Sequence, residues 1–173
     1  RSPGIASMRR GGVLSSNDSV KILITGSTGL LGQALSNHLA PSGEVTGLSR
    51  HAPSAIESDH RVCDLLDGPR VLALLEALQP QVVIHTQALS DVDRCEREPQ
   101  LARALNGETT ANLVDAMERL RSRRSQGTPP LLIAMSSDYV FSGAKGAAYD
   151  EADAPSPVSV YGRSKCEAEQ AAW

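Results

Sequence analysis

The chain has 173 residues, a formal net charge of −3 and 3 % aromatic residues, which is about one domain's worth of chain with length for a sizeable core. It has no strong field to draw nucleic acid or a membrane surface, too few aromatics for a base-stacking face, and no apolar run of ~20 residues to span a bilayer. Three well-separated cysteines, Cys63, Cys95 and Cys166, make neither a disulfide framework nor a metal-type pair, so a reduced, cytoplasmic compartment and no metal are expected.

Residues 1–19 carry Arg1, Arg9 and Arg10 without an apolar stretch, so they read as a disordered leader and not a secretory signal. Residues 20–173 read as one domain. The chain begins with Arg and ends at Trp173 inside a helical pattern without a stop signal, which reads as a part of something longer.

Val20 to Ile24 has the length and β-branched character of a buried strand. Three glycines then follow as Gly26-x-x-Gly29-x-x-Gly32, and Leu31, Ala34, Leu35 and Leu39 continue at helical spacing. Strand, glycine turn and helix form the context of a dinucleotide-binding turn. Side chains at Gly26 or Gly29 would hold a pyrophosphate off the backbone, Gly32 would let the helix pack close to the strand, and the helix N-terminus would face the phosphates. The plain alternative is a tight strand-to-helix turn without a ligand.

Further along, Glu44–Ser49 is predicted as a second strand, 51–59 as loop and Arg61–Cys63 as a third strand. Asp67 is a candidate N-cap with Pro69 in the first turn, and Val71, Leu72, Leu74, Leu75 and Leu78 form the apolar face of a helix that Pro80 ends. Gln81–His85 is a fourth strand, followed by loop to Pro99. A long helix is expected from Gln100 to Leu120, interrupted near Gly107, then a polar connection to Thr128. Pro130–Met135 is a fifth strand, 142–160 is loop, and a helix begins at Tyr161. Alternating strands and helices predict an α/β fold, a Rossmann-type doubly wound parallel sheet with helices on both faces and ligand at the carboxyl ends of the strands.

Ser136-Ser137, Tyr161 and Lys165 form a second constellation. Tyr161 and Lys165 are one helical turn apart on one face. A lysine near a phenol favours the phenolate, making it a usable proton donor or acceptor near neutrality. A hydroxyl at the end of strand five can hydrogen-bond a substrate oxygen. With a nicotinamide on the glycine turn, these parts suffice for hydride transfer to a carbonyl.

Thr25-Gly26-Ser27-Thr28-Gly29-Leu30-Leu31-Gly32 with Tyr161-Gly162-Arg163-Ser164-Lys165 resembles the extended short-chain dehydrogenase/reductases. Ser136-Ser137-Asp138-Tyr139-Val140-Phe141-Ser142-Gly143, the Tyr149-Asp150-Glu151 and Ser156–Gly162 segments, and Val92–Glu96 with Glu98-Pro99 and Leu105-Asn106 are similar to the dTDP-4-dehydrorhamnose reductases among them. The resemblance implies an NAD(P)-dependent oxidoreductase that reduces a nucleotide-linked 4-keto-6-deoxy sugar. Tyr161 would be the acid/base, Lys165 would lower its pKa and hold the nicotinamide ribose, and Ser137 would orient substrate. Gly26, Thr28, Gly29, Leu30, Leu31 and Gly32 would hold the pyrophosphate, Asp64 and Leu65 would flank the adenine, and Ala88 and Ser136 would line the cofactor channel. Ser90, Asp93 and Asp138 would lie on the substrate side, and Asn106 would brace the site.

Plain alternatives stand beside these roles: a surface cap for Asp64, a simple helix polar residue for Asn106, and a solvated helix start for Asp93 and Glu96. His85 reads as a strand-end core or cap residue. Arg50 follows strand two where an acid would bind a ribose 2′-hydroxyl, and arginine pairs well with phosphate, so NADPH is favoured, with NADH and a merely solvated arginine as alternatives.

Relatives by this resemblance have a small-residue segment where this chain has Thr86-Gln87-Ala88, so the bulk of Gln87 bears on nicotinamide seating. They also continue into a smaller substrate domain, so the 173 residues are expected to bind cofactor and turn over poorly. A homodimer is among the assemblies implied. Two other activities share these motifs: nucleotide-sugar epimerase or dehydratase chemistry, and the non-catalytic, NADP-binding regulatory subunit of methionine adenosyltransferase.

Overall fold

In the computed structural model, residues 19–53, 59–123 and 130–173 are described. Five strands, β1 (Val20–Thr25), β2 (Gly43–Ser49), β3 (Asp59–Val62), β4 (Val82–His85) and β5 (Leu131–Ala134), form one sheet. Their order is β3-β2-β1-β4-β5 and all pairings are parallel. The alternating pattern therefore produced the expected Rossmann-type doubly wound sheet.

β1 is central because its side chains are buried on both faces. Leu23 joins Leu48, Val83 and Leu132 in a core covered by α2 (Gly68–Leu78) and α5 (Thr109–Arg123). Ile24 joins Val45 and Ile84 on the opposite face, covered by Leu35 and Leu39 of α1 (Leu30–Leu39). The α2 apolar face predicted from its spacing supplies Val71, Leu72, Leu74, Leu75 and Leu78 to the first core. Asp67 caps that helix by accepting from the Arg70 amide at 3.1 Å, with Pro69 in the first turn.

Several boundaries differ from the expectations. The segment read as loop before Pro99 contains a helix, α3 (Val92–Arg97), capped by Asp91, whose Oδ1 accepts from the Arg94 amide at 2.8 Å. The long helix does carry the expected interruption near Gly107, as a change of helix type. It runs as α4 (Pro99–Ala102), a π-helical segment (Arg103–Glu108) and α5. A 3₁₀ turn (Asp138–Val140) follows β5, and α6 (Val160–Ala172) begins at Val160 behind Ser159 as N-cap. The third strand starts at Asp59, leaving Cys63 buried just beyond its end. The leader assigned to 1–19 falls, but for Ser19, outside the described residues. So do residues 54–58 of the predicted loop and 124–129 of the polar connection. Among the described residues, no helix is long and apolar enough to cross a membrane.

Candidate functional site

The glycine turn crosses the carboxyl edge of the sheet between β1 and α1. Gly26 has φ +71°, a conformation that L side chains rarely adopt. A Cβ there would also lie 2.7 Å from the Gln87 amide nitrogen and 2.8 Å from the Gln87 Cα. Gly26 thus answers to the backbone leaving β4 as much as to any ligand. Gly32 is equally confined, since a Cβ would stand 2.3 Å from the Gly26 carbonyl oxygen. Gly29 differs. Its backbone is extended (φ −79°), and the only nearby atom is the Gly26 oxygen at 3.3 Å, so its bare Cα leaves open space in front of the α1 N-terminus. The side chains of Leu30 and Leu31, in the first turn of α1, lie in solvent, 92 % and 47 % exposed, and, like Gly32, neither residue lines the cleft that opens in front of Gly29.

A cleft of about 340 Å³ opens there. The turn contributes Gly26, Thr28 and Gly29; the end of β2 contributes Ser49, Arg50 and His51; the segment after β4 contributes Thr86, Gln87, Ala88 and Leu89. Arg94 and Leu105 complete the wall. The expectations for Thr28, Arg50 and Ala88 are thereby brought together with the glycines. Arg50 is exposed, and its Nε donates to His51 Nε2 at 3.3 Å. An open cradle at Gly29, helix-end amides and an arginine at the far side fit a dinucleotide phosphate chain. Gln87 is part of this wall. Arg94 was not anticipated, although Asp91 three residues before it carried the signature of a helix start.

Asp64 and Leu65 are not brought to the groove walls. Leu65 is 1 % exposed and packs in the α2–α5 core, and Asp64 Oδ1 accepts the Leu66 amide at 3.0 Å to close the turn into α2. Burying an apolar side chain and satisfying a turn amide account for both positions. Ser90 and Asp93 are exposed and line neither cleft, Asp93 standing in the first turn of α3.

A second cleft, about 980 Å³, lies beyond β5 and gathers Ser136, Ser137, Asp138 and Lys165, with His85 and Thr110 in its wall. Ser137 caps the 3₁₀ turn: its Oγ accepts from the Tyr139 amide at 3.3 Å and donates to Asp138 Oδ1 at 3.1 Å. Ser136 Oγ donates to the Glu169 carboxylate. Lys165 is 5 % exposed and its ammonium donates to the Met135 carbonyl at the end of β5. Burial pushes its pKa down, and the Glu169 carboxylate works against that shift. Tyr161, one turn earlier on α6, is buried with Cys95 and Ala102 and meets Tyr139 edge-on, ring centroids 5.5 Å apart. Gly162 lets α6 press onto the 3₁₀ turn, since a Cβ would lie 2.2 Å from the Tyr139 carbonyl oxygen.

His85, expected as a core or cap residue, is 3 % exposed and bonded at both nitrogens. Thr110 Oγ1 spends its one proton on the Asn106 carbonyl at 2.7 Å, so it accepts from His85 Nε2 at 3.1 Å. Thr25 Oγ1 then donates to His85 Nδ1 at 2.6 Å. Burial first, and the charge of Lys165 second, push the imidazole down to about 4 and keep it neutral. Among the described residues, no group of three or more His, Cys, Asp or Glu is placed to hold a metal ion.

The all-parallel strand order and the glycine turn between β1 and α1 define a Rossmann-type α/β domain. The chain belongs to the RmlD substrate binding domain family, whose model matches residues 20–172. It is 35 % identical over 147 residues to a dTDP-4-dehydrorhamnose reductase of Burkholderia thailandensis, covering 84 % of this chain and 43 % of the relative. It is also 35 % identical over 156 residues to methionine adenosyltransferase 2 subunit beta of Mus musculus, covering 88 % and 42 %. A solved dTDP-4-dehydrorhamnose reductase from Bacillus anthracis, in complex with NADP, superposes with TM-score 0.74 at 28 % identity, covering 91 % of this chain and 50 % of that one. The chain therefore spans about half the length of the relatives it matches.

Proposed function

We propose that the protein takes part in NADPH-dependent reduction of a nucleotide-linked 4-keto-6-deoxy sugar. The observation that carries this reading is the convergence of Ser137, Asp138 and Lys165 on one cleft beside the helix of Tyr161. A dinucleotide groove opens at the other end of the same sheet edge. The Burkholderia thailandensis dTDP-4-dehydrorhamnose reductase that matches at 35 % identity supports the substrate class, and the NADP complex of the Bacillus anthracis enzyme supports the cofactor.

The glycine turn and the first amides of α1 would hold the pyrophosphate, and Arg50 the 2′-phosphate. When bound, the dinucleotide supplies the hydride. Ser137 Oγ is oriented by the Tyr139 amide and can turn its proton from Asp138 to a substrate oxygen. Tyr161 delivers the proton to the sugar carbonyl oxygen as it becomes a hydroxyl. Lys165 keeps a positive charge on the same helix face, which favours the phenolate left behind. Free Cys63, Cys95 and Cys166 are consistent with a cytoplasmic reaction.

A second reading follows from the mouse relative, a methionine adenosyltransferase 2 subunit beta that matches at the same 35 % identity, and from the resemblance to the regulatory subunit of that enzyme. It assigns the fold to NADP binding and partner modulation without turnover. The test is NADPH consumption with a dTDP-4-keto-6-deoxy sugar by the full-length protein, in wild type and Tyr161→Phe. The reductase reading expects turnover that Tyr161→Phe lowers by about 100-fold or more, with NADPH binding retained. Full turnover in Tyr161→Phe would sink the proton-donor assignment. NADPH binding without turnover, together with co-purification of an adenosyltransferase, would favour the subunit; a cofactor retained and recycled would favour an epimerase.

A further inference from the structure

Glu96 lies on the exposed side of α3, yet its Oε1 accepts the backbone amide of Val160, 64 residues later, at 2.7 Å. Val160 opens α6, and its amide is one of the donors that a helix leaves without an intrahelical partner. Ser159 Oγ takes another, from Gly162, at 3.0 Å. Glu96 is therefore a cap delivered from a distant helix: a charged acceptor at the positive end of the α6 dipole.

Tyr161 follows Val160 directly. Its carbonyl accepts Ser164 Oγ at 2.7 Å, and that oxygen accepts Asn106 Nδ2 at 2.8 Å. Asn106 in turn grips Leu89, which belongs to the wall of the dinucleotide groove. On a third side the Tyr139 carbonyl abuts Gly162. The turn that carries Tyr161 is thus tied from α3 and from the π-helical segment. Both ties run back to the stretch that leaves β4 and walls the groove.

We propose that Glu96 is a positioning residue for Tyr161: its carboxylate pins the first turn of α6 to the groove-wall segment, so that filling the groove and setting Tyr161 are linked. In turnover this rests on the reading of Tyr161 as proton donor; the linkage itself does not. An exposed carboxylate making only a surface ion pair is removed at little cost. Removing Glu96 instead leaves a helix-end amide unpaired beside the functional phenol.

The test is amide hydrogen exchange on the chain with and without NADPH, joined to NADPH affinity and turnover, in wild type, Glu96→Ala and Glu96→Gln. In wild type, NADPH raises protection of the Val160, Tyr161 and Gly162 amides by about tenfold. Glu96→Ala abolishes that rise while binding NADPH within about threefold of wild type, and lowers kcat about tenfold with KM nearly unchanged. Glu96→Gln, whose amide oxygen still accepts, restores most of both.

Unchanged protection in Glu96→Ala, a kcat loss that Glu96→Gln does not rescue, or an equal loss of NADPH binding would each overturn the proposal. If Glu96→Ala does not fold, the wild-type exchange decides: no NADPH-dependent rise at these three amides overturns it. Full turnover in Tyr161→Phe would remove the proton donor yet leave the exchange result standing, so the two failures are distinguishable.

Discussion

The Leu89 amide donates to Asn106 Oδ1 at 2.7 Å, and the Leu89 carbonyl accepts Asn106 Nδ2 at 3.2 Å. One buried side chain thus satisfies both backbone groups of a residue in the groove wall. Asn106 is 1 % exposed and sits in the π-helical segment, where wider spacing of the turn aims it at the β4–α3 segment. Its remaining proton goes to Ser164 on α6, so a single amide joins the groove wall to the helix that carries Tyr161 and Lys165.

Asn106→Ala leaves the part-buried Leu89 amide without its partner and the Leu89 carbonyl with only the weak Cys95 Sγ donor at 3.5 Å. The expected loss is about 2–3 kcal/mol of unfolding free energy, since unpaired buried polar groups cost roughly 1–3 kcal/mol each. Urea denaturation measures it. A loss below about 1 kcal/mol would mean that water takes over the bonds.

Acid sensitivity follows from His85. Its folded value of about 4 lies below the 6.5 of a free imidazole. Above pH 6.5 both folded and unfolded states are neutral and the stability is complete. As pH falls from 6.5 to about 4, the unfolded chain takes a proton that the folded one refuses, and stability drops by up to about 3 kcal/mol. His85→Asn removes this component. Unfolding midpoints at pH 7 and pH 4.5 should therefore differ more in wild type than in His85→Asn, and equal differences would contradict the assignment.

The last two glycines of the turn should separate folding from binding. Gly32→Ala forces a Cβ into backbone, 2.3 Å from the Gly26 oxygen, and is expected to destabilise the chain by several kcal/mol, of the order of a serious core overpacking. Gly29→Ala meets that oxygen only at 3.3 Å, so it should fold with a loss of no more than about 1 kcal/mol for the changed N-cap. Its NADPH affinity should nevertheless fall at least about tenfold, because the methyl occupies the phosphate approach. Calorimetry with a melting curve for each variant checks both halves.

Arg50→Glu should exchange cofactor preference. A carboxylate at the end of β2 repels a 2′-phosphate and can accept from a ribose hydroxyl. NADPH binding should weaken by about tenfold or more, while NADH binding holds or improves. Parallel weakening of both cofactors would show that Arg50 is only part of the wall.

Much of the architecture was legible because it rests on local periodicity. The runs at Val20–Ile24 and Gln81–His85, and the apolar spacing of Val71 to Leu78, each predict one element without reference to any other. α3 was legible only as the alternative of a solvated helix start at Asp93 and Glu96, because six residues give too little periodicity to decide against loop. The adenine role of Leu65 came from the family resemblance alone, and only packing shows that its side chain lies in the core.

The sequence by itself determined the order of strands and helices, the glycine turn and the shared face of Tyr161 and Lys165, since each depends on residues within a few positions of one another. Tertiary structure alone decided which distant groups meet. Glu96 on Val160, Asn106 on Leu89 and Ser164, and Gln87 against Gly26 join residues tens of positions apart. Their partners follow from how the β4–α3 segment crosses between β1 and α6, and no local pattern encodes that crossing. Hydrogen bonds across it are selected by the requirement that buried polar groups be paired, which acts only once the chain has packed.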